Sequence, residues 1–286
     1  MSRAEVLAAL PTFFDDRGDL DRATTSAHLD WLATRVDGVF VAGTTGEFPA
    51  LDRPERIALA EAALTAFGAD RVVVHVGAAS TREAVALTRD VLAAGGRRIA
   101  VLTPYYLPAD DAAVTHHFAT IAAAAGDAAT YGYLFTERSG VDVGPAEFGR
   151  IAAATGLAGV KLSGSANDRI GAYLDALPAG ARLWSGADTT LGAVVRRGGA
   201  GIVSGLSSAF PEPFTALADA IATGDSAAER AAQERADAVL AATHGSVEGI
   251  KHALGLLGFG NGALRMPAPA LPDPDAIARL VPAPVA

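Results

Sequence analysis

The chain has 286 residues, half of them hydrophobic, with no cysteine and a formal net charge of −9 at pH 7. The absence of cysteine excludes disulfides, thiolate catalysis and cysteine-ligated metal sites, and an acidic chain without a basic stripe is atypical of nucleic-acid binding. No apolar run approaches the roughly 18 residues of a membrane span, and residues 1–5 lack the pattern of a secretory signal. We therefore expect a cytoplasmic protein that binds neither nucleic acid nor membrane.

Short apolar segments alternate with longer amphipathic segments along the chain. The predicted strands are Val6–Phe13, Gly38–Ala42, Arg71–Val76, Arg98–Thr103, Thr130–Phe135, Leu157–Leu162, Ala181–Ser185 and Ala200–Ser204. Each is almost continuously apolar, which is typical of strands buried on both faces. The helical patterns between them include Leu51–Phe67, Arg82–Ala94, Val114–Ala125 and Pro145–Ala154.

Helix-start signals support this division. Asp52, Pro54 and Glu55 mark the beginning of one helix, and Ser80 with Glu83 has the spacing of a capping box for the next.

Eight consecutive strand-then-helix units predict an α/β fold in which a parallel sheet closes into a (β/α)8 TIM barrel. An open, doubly wound sheet is the alternative, but no G-x-G-x-x-G motif follows the first strand. Two further helical segments, Ser226–Ala242 and Ser246–Leu257, precede a proline-rich tail at Met266–Pro284. We predict a barrel over residues 1–224 and a C-terminal helical extension, residues 225–286, packed on it.

Lys161 lies one residue before the end of the sixth predicted strand, and active sites of such barrels lie at the carboxyl ends of strands. Burial in an apolar site disfavours the ammonium form of an amine, and the neutral amine can attack a ketone to form an imine. The alternative is a structural lysine that pairs with a buried carboxylate or extends outward. The only other lysine, Lys251, lies on a late predicted helix and is interpreted as solvated.

Hydroxyl groups and glycines occupy neighbouring strand ends. Tyr133 lies about one strand-and-helix unit before Lys161, so its hydroxyl could relay protons, or the residue could simply be a core aromatic. The segment Gly43–Glu47 offers N–H groups and threonine hydroxyls to a carboxylate, or forms an ordinary glycine-rich turn.

Other polar groups at the strand ends admit two interpretations. In one interpretation, Pro104–Tyr106 supplies one tyrosine to the site and one to a subunit contact. In the other, it is a proline-initiated turn with two surface aromatics. Arg138 lies at a predicted pocket mouth. It either binds a second carboxylate of the substrate or is a solvated surface residue. The strand ends carry no carboxylate pair and no histidine cluster, so no metal site is predicted, and all six histidines are interpreted as structural or surface residues.

Together these motifs resemble the dihydrodipicolinate synthase / N-acetylneuraminate lyase family of class I aldolases, over about residues 5–265. The motifs that carry the resemblance are Gly43–Glu47, Thr103–Tyr106, Tyr133 with Arg138–Gly140, Gly159–Lys161, Ser185–Gly186 and Gly201–Ser204. The resemblance implies a lyase that holds pyruvate as a Schiff base and needs no metal or organic cofactor. It also implies an oligomer, either a homotetramer built as a dimer of dimers or a homodimer.

The resemblance also implies residue roles. Lys161 is similar to the Schiff-base lysine and Tyr133 to the proton relay, and Thr44 is similar to the link between Tyr133 and Tyr106, which many members supply from a neighbouring subunit. The implied substrate-binding residues are Thr45 and Gly46 at the pyruvate carboxylate, Arg138 at the aldehyde substrate, and Gly186 and Val203 beside the keto acid.

The sequence departs from the synthase branch of this family. Leu134–Glu137 replaces an Asn-Val-Pro segment, Leu162–Gly164 replaces an acidic residue after the lysine, and Phe48–Pro49 replaces small residues of lysine-inhibited synthases, so lysine feedback is not expected. The Tyr-Tyr-x-Pro segment and Ser185–Asp188 are more similar to the 2-keto-3-deoxygluconate aldolase branch, whereas Arg138 favours the synthase branch.

We therefore expect a pyruvate-dependent aldolase acting on a 2-keto-3-deoxy sugar acid or a similar hydroxy-keto acid. The alternatives are 4-hydroxy-tetrahydrodipicolinate synthase, which joins pyruvate to aspartate semialdehyde, and a sugar-acid dehydratase that uses the same lysine. A non-enzyme alternative is a silent barrel that binds a keto acid as a sensor or scaffold, because a fold alone does not establish activity.

Overall fold

The computed structural model describes residues 3–281 of the chain. Eight parallel strands close into a barrel in which each strand pairs with the next and the eighth pairs with the first. The strands are β1 (Glu5–Ala9), β2 (Gly38–Val41), β3 (Val72–His75), β4 (Arg98–Leu102), β5 (Ala129–Leu134), β6 (Gly159–Leu162), β7 (Arg182–Ser185) and β8 (Gly201–Ser204). The predicted TIM barrel is confirmed.

Helices cover the outside of the barrel and form the C-terminal extension. They are α1 (Arg22–Ala33), α2 (Arg53–Phe67), α3 (Thr81–Ala93), α4 (Asp111–Ala125), α5 (Thr136–Ser139), α6 (Pro145–Thr155), α7 (Ile170–Ala176), α8 (Leu191–Arg196), α9 (Pro211–Thr223), α10 (Ser226–Thr243), α11 (Val247–Leu256) and α12 (Pro274–Ala278). Short 3-10 turns lie at Phe48–Ala50, Ala69–Arg71, Gly164–Arg169, Asp188–Thr190 and Leu206–Ser208.

The helix-start signals are found where they were predicted. Asp52 accepts a hydrogen bond from the N–H of Glu55, and the Glu55 carboxylate accepts one from the N–H of Asp52, which completes a capping box at α2. At α3 the Ser80 hydroxyl accepts from the N–H of Glu83 at 3.2 Å.

The first strand differs most from its predicted bounds. The apolar run suggested Val6–Phe13, but β1 ends at Ala9 and the chain then leaves the barrel wall. Phe13 is still buried, since it packs in the core outside the barrel. An apolar run therefore marks burial but not the end of the strand.

Alternate residues of each strand face opposite sides of the barrel wall, as the two-residue period of a strand requires. Val160 and Leu162 of β6 pack outward against the helices, so Lys161 between them faces the barrel interior. The interior is filled by a separate apolar cluster, formed by Leu7, Ala9, Phe40, Phe48, Val73, Ala100, Leu102, Tyr131, Tyr133, Trp184 and Val203.

The C-terminal extension packs on the barrel through α10, which lies against α9. Helix α12 interrupts the predicted proline-rich tail, with Asp273 accepting a hydrogen bond from Ala276 at its start. Residues 282–284 of that tail lie outside the described part of the chain. The division at residue 224 remains a prediction. Among residues 3–281, no helix is both long and apolar enough to cross a membrane.

Candidate active site

A cavity of about 690 Å³ opens at the carboxyl ends of the strands. It is the place where a barrel of this kind carries its chemistry, because the loops after the strands converge there. Seven of the predicted site residues line it, namely Thr44, Thr45, Tyr133, Arg138, Lys161, Gly186 and Val203.

Lys161 and Tyr133 stand side by side at the floor of this cavity. They are register partners on the adjacent strands β6 and β5, and Lys161 Nζ lies 4.1 Å from the centre of the Tyr133 ring. Tyr133 is completely buried and Lys161 is 7% exposed, so the amine meets solvent only through the cavity. This placement brings an amine and a phenol to the same part of the cavity.

Thr44 is the third member of the group. Its Oγ1 lies 3.0 Å from the Tyr133 hydroxyl, and either oxygen can be the donor. Thr44 itself is half-buried and borders the cavity. The pair therefore forms a hydroxyl chain from the barrel floor to the cavity, a route along which a proton can move.

We call residues 42–47, which follow β2 and contain Thr44 and Thr45, the threonine loop. Within the described residues the N–H groups of Thr44 and Thr45 donate to no backbone acceptor. Two non-glycine residues bound the loop, Ala42 and Glu47, and each has a left-handed φ of 53°. Such a conformation costs on the order of 1–2 kcal/mol per residue, so surrounding contacts must hold both ends.

Glu47 is held by a buried network that includes Lys251. Lys251 Nζ lies 2.5 Å from Glu47 Oε1, and each side chain is 2% exposed. The other Glu47 oxygen accepts from the N–H groups of Arg265 and Met266 at 2.9 and 2.8 Å. The prediction that Lys251 is solvated is wrong, because the C-terminal segment covers the helix face that carries it. Burial lowers the pKa of Lys251, although Glu47 opposes that shift.

The C-terminal segment forms one wall of the cavity. Leu264, Met266, Pro267 and Pro269 line it, and the Arg265 guanidinium anchors the segment to both oxygens of the Glu55 carboxylate. Sequence reasoning missed this wall, since a proline-rich tail gives no periodic signal for the surface that it covers.

Two further cavity residues had no role assigned from the sequence, Ser163 and Asp188. Ser163 lies two residues after Lys161, and the strand period could have placed it on the same side. Asp188 accepts hydrogen bonds from the Ser204 hydroxyl and the N–H of Leu206. Burial raises the pKa of Asp188, an effect that these donors oppose.

Gly186 is shaped by close contacts. A Cβ there would meet the Ser163 hydroxyl, would lie 2.8 Å from the Leu162 carbonyl oxygen and would lie 3.2 Å from Cε of Lys161. Only a residue without a side chain fits at this point beside the lysine.

Two predicted site residues do not reach the cavity of their own chain. Tyr106 is 90% exposed and has a φ of 81°, whereas Tyr105 lines the cavity in its place. Gly46 belongs to the threonine loop but does not line the cavity, and its carbonyl accepts a hydrogen bond from the Thr12 hydroxyl. Arg138 stands exposed at the cavity mouth, with its guanidinium 5.8 Å from the centre of the Phe135 ring.

Three histidines are buried, in agreement with their structural interpretation. Burial lowers the pKa of His28 and that of His117 to about 4, and lowers that of His75 well below its ordinary value. His75 faces the barrel interior directly behind the site, with its ring centre 5.7 Å from that of Tyr133.

Comparison with known proteins places this chain among sequences of one family. Residues 2–274 match the dihydrodipicolinate synthetase family. An uncharacterized DapA-like lyase from Halobacterium salinarum is 35% identical over 274 residues, which cover 94% of this chain and 90% of that protein. A 4-hydroxy-tetrahydrodipicolinate synthase from Parasynechococcus marenigrum is 30% identical, with 94% of this chain and 90% of that protein covered.

Solved structures with closely similar folds carry names from the same family. The 4-hydroxy-tetrahydrodipicolinate synthase from Methylacidiphilum fumariolicum superposes with a TM-score of 0.88 at 26% identity, covering 97% of this chain and 94% of that one. YagE from Escherichia coli, solved in complex with pyruvate, gives a TM-score of 0.87 at 26% identity, covering 98% of this chain and 97% of that one.

Proposed function

This chain belongs to the dihydrodipicolinate synthetase family and is thus an enzyme of the pyruvate-dependent class I aldolase and lyase type, and we propose that it cleaves or forms a 2-keto-3-deoxy sugar acid or a similar hydroxy-keto acid. The observation that carries the proposal is the Lys161–Tyr133–Thr44 group at the floor of the cavity at the carboxyl ends of the strands. Family membership argues against the silent-barrel alternative.

In the proposed cleavage, Lys161 Nζ attacks the keto carbon and the resulting carbinolamine loses water to give a protonated imine. Tyr133, relayed through Thr44, takes the proton from the C4 hydroxyl. The C3–C4 bond then breaks, its electron pair passes into the iminium, and an aldehyde leaves. The enamine takes a proton at C3, and hydrolysis returns pyruvate and free Lys161. The iminium is the electron sink, so the proposed reaction needs no metal and no organic cofactor.

The N–H groups of Thr44 and Thr45, which donate to no backbone acceptor within residues 3–281, support a site for the keto acid's carboxylate. Backbone N–H groups and hydroxyls in a tight turn form an anion-binding concavity, and Thr45 adds its hydroxyl there. Gly46 would act only through the turn it permits, and Gly186 and Val203 would border the methyl or methylene carbon.

Polar cavity residues outside the Lys161–Tyr133–Thr44 group favour a hydroxylated substrate. Ser163, Asp188 and Glu248 line the cavity and together offer one hydroxyl and two carboxyl groups. Several such groups can bond a chain of sugar hydroxyls, whereas the carboxylate of Glu248 opposes an additional carboxylate on the substrate.

Arg138 supports the second candidate, 4-hydroxy-tetrahydrodipicolinate synthase. Its guanidinium at the cavity mouth could bind the carboxylate of aspartate semialdehyde in a bidentate manner. The curated relative from Parasynechococcus marenigrum carries that name. A sugar-acid dehydratase would use the same imine and remains a variant of the first proposal.

A second copy of the chain would complete the site in our proposal. Tyr106 and Leu107 are large, apolar and 90% and 70% exposed, which is unfavourable for a monomer unless another surface covers them. We therefore retain a homodimer or homotetramer in which Tyr106 extends the Tyr133–Thr44 relay of its neighbour.

The test is borohydride reduction in the presence of pyruvate, followed by mass spectrometry of the wild-type chain and of Lys161→Ala. The chain has only two lysines, so Lys251 is an internal control within each digest. One reduced pyruvate adduct on the Lys161 peptide, absent from Lys161→Ala, is the expected result. A wild-type chain without an adduct would overturn the imine mechanism.

Substrate class is then tested by comparing kcat/KM for 2-keto-3-deoxy sugar acids with that for pyruvate plus aspartate semialdehyde. The first proposal expects the sugar acids to be preferred and Arg138→Leu to leave that activity within about threefold, the range of a weak exposed contact. A preference for aspartate semialdehyde that Arg138→Leu abolishes would establish the second candidate instead.

A further inference from the structure

We propose that His75 is a positioning residue that sets the conformation of the threonine loop and thereby the affinity for the keto acid. His75 Nδ1 lies 2.9 Å from the carbonyl oxygen of Ala42. Arg56 Nη2 also lies 3.4 Å from Nδ1, but the shorter contact is to a carbonyl, which can only accept a hydrogen bond, and it assigns the proton of the neutral ring to Nδ1. The inference rests on the proposed imine chemistry, since the loop matters through its keto-acid site.

The carbonyl that His75 binds belongs to a strained residue. Ala42 has a φ of 53°, a conformation that a residue with a side chain keeps only where its surroundings impose it. Ala42 precedes Gly43 and Thr44 in the chain, so its φ and ψ aim the N–H groups and hydroxyls of the loop. Releasing the Ala42 carbonyl would let the loop relax away from Lys161.

His75 is itself fixed from both sides. The buried guanidinium of Arg56 donates to the backbone carbonyls of His75 and Gly77 at 2.6 and 3.0 Å. The imidazole packs edge-on against Phe48, with ring centres 4.6 Å apart, and edge-on against Tyr133. Because these contacts fix the imidazole of His75, its hydrogen bond also fixes the position of the Ala42 carbonyl.

The environment of the other ring nitrogen of His75 is energetically unfavourable. Nε2 is buried and has no hydrogen-bond partner within the described residues, and an unpaired buried nitrogen is unfavourable. An apolar side chain of similar size would avoid that cost but could not hold Ala42. His75 does not line the cavity, so it acts through Ala42 and not on the substrate itself.

Three substitutions at His75 distinguish the contribution of its hydrogen-bond donor from that of its aromatic ring. In His75→Asn the side-chain amide nitrogen can stand where Nδ1 stands, in His75→Gln it stands near the position of Nε2, and His75→Phe keeps a ring without any donor. We would measure the rate of borohydride trapping against pyruvate concentration for each variant, together with its melting temperature.

The half-saturating pyruvate concentration should rise roughly 10- to 100-fold in His75→Phe and His75→Gln, the penalty expected for a misplaced binding group. In His75→Asn it should stay within about threefold of wild type, and the trapping rate at saturating pyruvate should change least of all. His28→Phe is the matched control, because His28 is also fully buried and bonds a backbone carbonyl, that of Ser208. It should lower the melting temperature and leave pyruvate affinity unchanged.

Unchanged pyruvate affinity in a folded His75→Phe or His75→Gln would overturn the inference, and so would an Asn variant as impaired as the Gln variant at an equal melting temperature. If His75→Phe does not fold, the comparison of Asn with Gln decides alone. Failure of wild type to trap pyruvate would instead overturn the proposed function, and the inference with it.

Discussion

Lys251 on α11 and Glu47 at the end of the threonine loop form an ion pair that is almost completely removed from solvent, with 2.5 Å between Nζ and Oε1. Removing one partner of such a pair leaves an unpaired buried charge, which typically costs about 3–5 kcal/mol. We therefore predict that Lys251→Met and Glu47→Gln each lower the free energy of unfolding by about that amount, as measured by urea titration.

The double variant Glu47→Gln/Lys251→Met should lose less stability than the sum of the single losses, because neither charge is then left alone. Arg196→Met is the control, since the Arg196–Glu229 pair is exposed and should contribute about 0–1 kcal/mol. Single variants as stable as this control would show that the buried pair is not coupled as the geometry requires.

Tyr133→Phe should lower kcat by about 10²- to 10⁴-fold, the usual contribution of a positioned acid–base group. The ring and its packing remain, so the melting temperature should change little. Tyr131→Phe is the control, because Tyr131 lies on the same strand and faces the same interior but does not line the cavity. Equal activities of the two variants would contradict a relay role for Tyr133.

Gly186→Ala should impair the site by crowding alone. The new Cβ would press on the Leu162 carbonyl and on the Lys161 side chain, and overpacking of this kind costs about 1–3 kcal/mol. We expect slower pyruvate trapping together with a lower melting temperature. Gly144→Ala, where nothing lies within 4 Å of the new carbon, should alter neither quantity; a Gly186→Ala chain that behaves in the same way would disprove the crowding.

Stability should fall as pH is lowered below about 6.5. The pKa of buried His28 is lowered to about 4, so between pH 6.5 and 4 the unfolded chain binds a proton at this residue that the folded chain does not. Linkage then makes unfolding easier as pH falls through that window, by about 2 kcal/mol between pH 7 and 5 for this residue alone.

The measurement is the free energy of unfolding at pH 7, 6 and 5 for wild type and His28→Gln, whose amide can replace the bond to Ser208. The variant should lose less stability than wild type across this range. An identical pH dependence in both chains would mean that His28 is not the titrating group.

The barrel and the position of Lys161 were predictable because they rest on local patterns. Eight apolar runs at regular spacing specify parallel strands, and the two-residue period places Lys161 and Tyr133 on the interior face. The capping residue Asp52 likewise acts within a single turn of the chain.

Contacts between distant segments were not predictable in the same way. Lys251 lies in an amphipathic helix. Nothing in the adjacent sequence indicates that it forms an ion pair with Glu47, which lies over 200 positions earlier. His75 continues an apolar strand and has no local signal for its bond to Ala42. Such pairs come together only in the folded chain, so no short stretch of sequence predicts them.

The wall formed by Leu264, Met266 and Pro267 is the last part of the cavity to leave the ribosome. All eight strands and Lys161 precede it, so a chain that ended before residue 264 would contain every strand and the amine but would lack this wall of the cavity. The Glu47 carboxylate cannot receive the N–H groups of Arg265 and Met266 until those residues have been added. Synthesis of the C-terminal segment is thus the step that completes the cavity around Lys161.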